Sequence, residues 1–112
     1  MRLKMETKSL FIEFMGDSPM IKMLDYLLTE RELDFSITDM AENAGIGRAT
    51  LYRLWGNLIK NKIITHTRDI GKAKLYKLNT ENERIKKLIE MHDALTLEEL
   101  KKRSEARKVI VA

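Results

Sequence analysis

Cysteine is absent from the 112-residue chain. That removes disulfides, thiol nucleophiles and cysteine metal sites together. Glutamine is also absent while Lys, Arg and Glu are plentiful, a bias associated with proteins of hot environments. The longest uninterrupted apolar runs are three or four residues, too short to span a bilayer. The opening MRLKMETKSLF carries charges where a secretory signal needs an apolar stretch, so an intracellular, cytoplasmic protein is expected. There are only two histidines, His66 and His92, and neither has companions at metal-ligand spacing, so no metal site and no cofactor are expected. No phosphate-cradling glycine motif is present, and the acidic residues scatter over predicted helix surfaces instead of pairing in a cleft. Catalysis needs a nucleophile beside a base or paired carboxylates, so an enzyme is not expected.

What the chain does contain is 44% hydrophobic and 34% charged residues, enough for one packed domain or one domain plus an arm. The net charge of +4 is unevenly placed. Residues 1–44 have a balance of −4, residues 80–112 of +1, and residues 45–79 of +7, with Asp69 as the single acid among eight basic side chains. A positive field concentrated in one third of the chain suits a surface that meets a polyanion, although a solvated basic face gives the same count.

Helical and extended periods alternate along the chain. Ser18 or Asp17 can cap a helix over residues 19–30, with Pro19 at its first position and Met20, Ile21, Met23, Leu24, Leu27 and Leu28 on one face. Ser36 followed by Asp39 resembles a capping box, with Phe35 and Met40 placed as a hydrophobic staple. The short helix it opens, residues 37–44, closes at Gly45. Over residues 48–61, Leu51, Leu54, Trp55, Leu58 and Ile59 form a buried stripe, and Ala49, Tyr52, Arg53, Gly56 and Lys60 lie opposite. Residues 63–68 and 73–78 alternate as strands, joined by the turn residues Asp69-Ile70-Gly71-Lys72. A lone two-stranded hairpin is unstable, so it must pack on the helices. Thr80 to Glu83 reads as a second capping box, opening a helix with Ile85, Leu88, Ile89, His92 and Leu95 on one side. Thr96 permits a break, leaving one helix to about residue 108 or two. Residues 10–15 suit one or two helical turns or a short strand. The methionines fall mostly at core phases.

The segment SITDMAENAGIGRATLYRLWGNLIKNKII, followed by THTRDIGKAKLYKLN, resembles the winged helix-turn-helix domain of prokaryotic transcription regulators. It is most similar to the short archaeal regulators broadly akin to the MarR and ArsR types. Met40-Ala41, the Ala44-Gly45-Ile46 turn, Leu51, Trp55, Leu58 and Ile63-Ile64 sit where such domains place their core. Gly47 departs from the Ser or Thr that often caps the recognition helix, and Lys62 stands where many relatives have Gly. The resemblance implies a mainly α fold with a small β-hairpin (α+β): an N-terminal arm or short helix (1–17), a winged helix-turn-helix domain (18–79) and a C-terminal helical extension (80–112).

A sequence-specific regulator of double-stranded DNA follows as the expected function. Residues near the N-terminus of a helix in the major groove meet base edges, which selects Arg48, Ala49, Thr50, Tyr52 and Arg53. The amides at Gly47 and Arg48 favour a phosphate, and Ser36 can donate to another. Arg68, Lys72 and Lys74 on the wing would follow the backbone or enter the minor groove. Tyr52 has an alternative as a half-buried packing residue, and Trp55 reads as core. Two half-sites call for a homodimer, for which Ile85, Leu88, Ile89, Leu95, Leu97 and Leu100 are the candidates; alternatively these close the monomer's own core. The rival function is a winged-helix protein–protein assembly module, since fold does not settle function. RNA binding is disfavoured because no aromatic pair is placed to stack bases. The sequence carries no indication of a small-molecule effector.

Overall fold

The computed structural model describes residues 8–111, with side chains to residue 106; the first part of the expected N-terminal arm lies outside the described residues. Five helices and one hairpin follow in the order α1 (Leu10–Met15), α2 (Pro19–Thr29), α3 (Ile37–Ala44), α4 (Arg48–Lys60), β1 (Ile64–Ile70), β2 (Ala73–Leu78) and α5 (Glu83–Val111).

Local chemistry sets most boundaries. Ser9, Ser18 and Ser36 each cap a helix by accepting a backbone N–H through the side-chain oxygen, from Ile12, Ile21 and Asp39 respectively. Pro19 occupies the first turn of α2, where its missing N–H costs nothing. Gly45 adopts the left-handed conformation at φ 75°, and the Ile46 N–H turns back to the Ala41 carbonyl at 3.0 Å. Gly47 begins α4 with no side-chain cap, as its lack of a side chain requires. The core these helices enclose contains Phe11 of α1, Met23, Leu24, Leu27 and Leu28 of α2, Met40 and Ala41 of α3, Leu51 and Leu58 of α4, Ile64 and Leu78 of the hairpin, and Ile85 of α5. Trp55 and Leu54 are partly buried against it.

The hairpin is antiparallel and docks on the helices through a third extended segment. Phe35 and Tyr76 exchange two backbone hydrogen bonds, Phe35 N–H to Tyr76 O at 2.8 Å and Tyr76 N–H to Phe35 O at 2.9 Å. The Tyr76 ring meets Trp55 edge-on at 4.8 Å. These bonds and contacts supply the support that a lone hairpin lacks.

Several sequence expectations are corrected. Ile59 is not in the buried stripe of α4; it is 44% exposed, because the stripe is narrowed to Leu51 and Leu58 with Leu54 and Trp55 at its edge. The strands run further than expected, with Ile70 paired to Ala73, so the turn is the two-residue Gly71-Lys72 with Gly71 at φ 61°. Thr80 does not cap α5. The Arg84 N–H instead donates to Asn82 Oδ1 at 2.9 Å, and Asn79 Oδ1 organises the preceding turn by accepting from the Glu81 N–H. Thr96 causes no break: α5 is one helix of 29 residues, about 44 Å long. Ile85, open in the sequence to either a dimer interface or the monomer's own core, is 2% exposed and belongs to the core. Leu88, Ile89 and Leu95 are partly buried against that core, while Leu97 and Leu100 are 60% and 52% exposed.

A polar junction joins α1, α2 and α5. The buried His92 places Nε2 2.9 Å from Asp25 Oδ1, and the Ser9 hydroxyl donates to the same oxygen at 3.1 Å. Phe11 lies against the imidazole with ring centroids 5.1 Å apart. Outside this junction, Arg31 of the α2–α3 connection holds Asp93 of α5 through both terminal guanidinium nitrogens.

Lys62 follows α4 at φ 54°, the only non-glycine residue at positive φ among those described. Its carbonyl accepts from the side-chain amides of Asn79 and Asn82, which hold this left-handed turn against the start of α5. A side chain in this conformation costs about 1 kcal/mol that glycine does not incur. Lys62→Gly is therefore expected to stabilise the fold by roughly 0.5 kcal/mol, net of the added freedom of the unfolded chain. Urea denaturation midpoints at matched slope check this, and a loss of stability would show that the lysine side chain packs favourably.

Candidate nucleic-acid interface

The outward side of α4, the start of α3 and the wing converge on one face. Arg48, Ala49, Tyr52 and Arg53 are exposed on α4, Tyr52 to 52%. Tyr52 shares a groove of about 340 Å³ with Ser36, Ile37 and Thr38 of the α3 start and with Lys72, Ala73, Lys74 and Tyr76 of the wing. Four of the predicted residues, Ser36, Tyr52, Lys72 and Lys74, thus line one concavity although they come from three elements.

The remaining predicted residues sit around or apart from it. Gly47 is exposed at the N-terminus of α4, where the first amides of the helix have no intrahelical partner. Thr50 is half-buried, and its Oγ1 accepts from Arg53 Nη2 at 3.2 Å, which leans the guanidinium along the helix. Ser36 uses its oxygen as the α3 cap, leaving its hydroxyl hydrogen as a donor. Arg48, Arg53 and Lys72 have no acidic partner among the described residues. Lys74 is less free: its Nζ lies 3.8 Å from Asp69 Oδ2, while Asp69 Oδ1 lies 2.6 Å from His66 Nε2. The His66 hydrogen bond is the main cause that holds the Asp69 carboxyl below its ordinary range, with Lys74 assisting.

Arg68 is held most firmly. Its Nε and Nη2 donate to the two oxygens of Asp34 at 2.9 and 3.1 Å. Thr67 Oγ1 lies 2.6 Å from Asp34 Oδ2. Asp34 is the residue that sequence reasoning missed, and no local signal points to it, because its partners stand 33 and 34 residues away. The hydrogen bond from Arg68, then that from Thr67, lowers the Asp34 carboxyl from 3.8 to about 2. Arg68 correspondingly rises above its ordinary value through the same hydrogen bond.

The two histidines are occupied by carboxylates, and among the described residues no three potential ligands converge to hold a metal ion. No helix among the described residues is long and apolar enough to cross a membrane.

The fold places the chain beside solved transcription regulators. The adhesin competence repressor AdcR of Streptococcus pyogenes superposes with a TM-score of 0.59 at 17% identity, covering 78% of this chain and 64% of that one. MepR, a transcription regulator of the Staphylococcus aureus multidrug efflux pump MepA, gives 0.54 at 20% identity over 86% of this chain and 68% of that one. ZitR of Lactococcus lactis in its apo form gives 0.57 at 18% identity, over 89% and 81% of the two chains. The chain thus spans less than two thirds of the length of the first of these. No family model matches the sequence, and no curated protein does. The shared feature is the fold: a mostly helical winged helix-turn-helix with a two-stranded antiparallel wing and a long C-terminal helix.

The Asp34 carboxylate has a pH signature. Its folded pKa is depressed, so the stability it lends is complete above the ordinary 3.8 and is lost as pH falls from there towards about 2. Asp34→Asn should therefore flatten the acid limb of the stability curve within that window and leave its shape near neutrality unchanged. Thermal melts across the window check this; identical acid limbs for the two proteins would show that the pair forms equally in the unfolded chain or not at all.

Proposed function

We propose that the chain is a sequence-specific regulator that binds double-stranded DNA as a homodimer, with α4 in the major groove and the wing on the backbone or in the minor groove. The observation that carries this reading is the concavity shared by Tyr52 of α4, Ser36 at the start of α3 and Lys72 of the wing, with Arg48 and Arg53, which have no acidic partner among the described residues, exposed on the same helix as Tyr52. Similarity of fold to known transcription regulators supports it. The role is one of binding, not catalysis. Arg48 and Arg53 are the candidates for guanine O6 and N7, and Ala49 for a thymine methyl. Tyr52 and Thr50 reach phosphates or bases, and the Gly47 and Arg48 amides meet a phosphate with the aid of the helix dipole. Lys72 and Lys74 follow the backbone. The domain formed by residues 18–79 supplies this face, and residues 80–112 extend it to a partner.

Pairing is assigned to the part of α5 that leaves the body. Leu97 and Leu100 lie exposed on it, and Phe14 and Met15 of α1 are 70% and 42% exposed. Such apolar residues gain from burial against a second copy, with Leu88, Ile89 and Leu95 contributing their remaining exposed surface.

Binding to random duplex DNA should be weak and fall steeply with salt. Arg48→Ala combined with Arg53→Ala should cost about 1–3 kcal/mol per lost guanine contact on a duplex selected from a random pool. Fluorescence anisotropy across a salt series measures both; salt-independent or absent DNA binding would favour an assembly module instead. For the dimer, Leu97→Lys with Leu100→Lys should convert the sedimenting species to monomer without lowering the melting temperature of the winged domain. A wild-type chain that stays monomeric at high micromolar concentration would remove the dimer from the reading.

A further inference from the structure

We propose that Asp34 is a positioning residue for DNA readout: by gripping Thr67 and Arg68 it fixes the wing's aim and presents Arg68 in one orientation, so that it governs sequence selectivity more than affinity. This rests on the DNA-binding reading above and assigns a role to an acidic residue whose two carboxylate oxygens are engaged by Arg68 and Thr67.

Three features converge on Asp34. Its backbone neighbour Phe35 is pinned to Tyr76 by two hydrogen bonds, so the carboxylate projects from a fixed point beside the hairpin. Its side chain is 18% exposed and accepts from both Nε and Nη2 of Arg68, the two-point grip that fixes a guanidinium plane. The strand is also irregular at this place: His66 pairs with Tyr76 and Arg68 with Leu75, leaving Thr67 as the extra residue of a bulge. Bulges re-aim side chains, and here the bulged Thr67 has its Oγ1 2.6 Å from Asp34 and 3.2 Å from the Leu75 carbonyl.

The grip leaves Arg68 usable. Nε and Nη2 are engaged on one edge, Nη1 has no partner among the described residues, and the side chain is still 61% exposed. A guanidinium held on one edge and open on the other reads groove width or a base edge with little loss of rotamer freedom on binding. A freely rotating Arg or Lys at the same site supplies the same charge to any phosphate without that discrimination.

The test uses the full chain, a duplex selected from a random pool, and a random duplex of equal length. Arg68→Lys keeps the charge and loses the fork. Asp34→Ala frees the arginine. Each should lower the ratio of selected to random affinity by about tenfold. Random-duplex affinity should stay within about twofold, or tighten slightly in Asp34→Ala, and the salt slope should not change. The double variant should be no worse than either single one, because both act through the same contact. An unchanged ratio in Arg68→Lys, or losses that multiply in the double variant, would overturn the proposal even if Asp34→Ala failed to fold. A wild-type chain that binds no duplex at all would overturn the DNA-binding reading and this inference with it.

Discussion

The pair of backbone hydrogen bonds between Phe35 and Tyr76 fixes the relation between the three elements that make the exposed basic face. Phe35 lies immediately before the Ser36 cap of α3, so its pairing with β2 ties the hairpin to the start of that helix. On the other side of the chain, the Tyr76 ring packs edge-on against Trp55 of α4 and lies 5.5 Å from His66 of β1, measured between ring centroids. One residue of β2 thus touches the segment that leads into α3, the helix α4 and the neighbouring strand. The hairpin's own ladder fixes strand against strand only. The bridge holds the wing beside the start of α3, where Tyr52 and Lys72 line one groove.

A second group of polar contacts performs a similar task at the opposite end. Asp25 of α2 receives both His92 of α5 and Ser9 at the head of α1, and Ser9 caps α1 with the same hydroxyl oxygen. Buried polar groups cost stability unless they are paired, so the three residues constrain one another's placement more sharply than apolar contacts alone. His92 Nδ1 has no hydrogen-bond partner among the described residues. The junction's direct effect is geometric: it sets how α5 leaves the body, and hence where Leu97 and Leu100 lie relative to the basic face.

Much of the fold is legible in the sequence because much of it is local. Ser18, Ser36 and Gly45 announce their helix ends through bonds spanning three or four residues, and the apolar phase of α2 and the strand alternation name the right elements. Periodicity shows that a side chain is buried without showing what buries it. That is why Ile85 reads equally well as core or interface, and why Ile59 falls in phase with a stripe that stops short of it. The turn at Lys62 is half legible: its departure from glycine is visible in the sequence, but the asparagine side chains that hold it come from the connection between β2 and α5. The interface divides in the same way. Arg48 to Arg53 follow from position on one helix, whereas Asp34 acts only through residues more than thirty positions away.

That division alters how the charge pattern should be understood. Counting residues gives the middle third a balance of +7, and taken alone this suggests a uniformly sticky surface. In the folded chain, Asp34 from the acidic first third engages Arg68, and Asp69 engages His66 and lies near Lys74. The wing's positive charge is therefore partly matched and held in place. Arg48, Arg53 and Lys72 retain charge with no acidic partner among the described residues; Lys72 lines the concavity, and Arg48 and Arg53 are exposed on the helix that contributes Tyr52 to it. Unpaired cations attract a polyanion at a distance, while tethered ones resist sliding into non-specific geometries. On the DNA-binding reading proposed above, the acidic residues near the wing reduce general attraction in exchange for orientation.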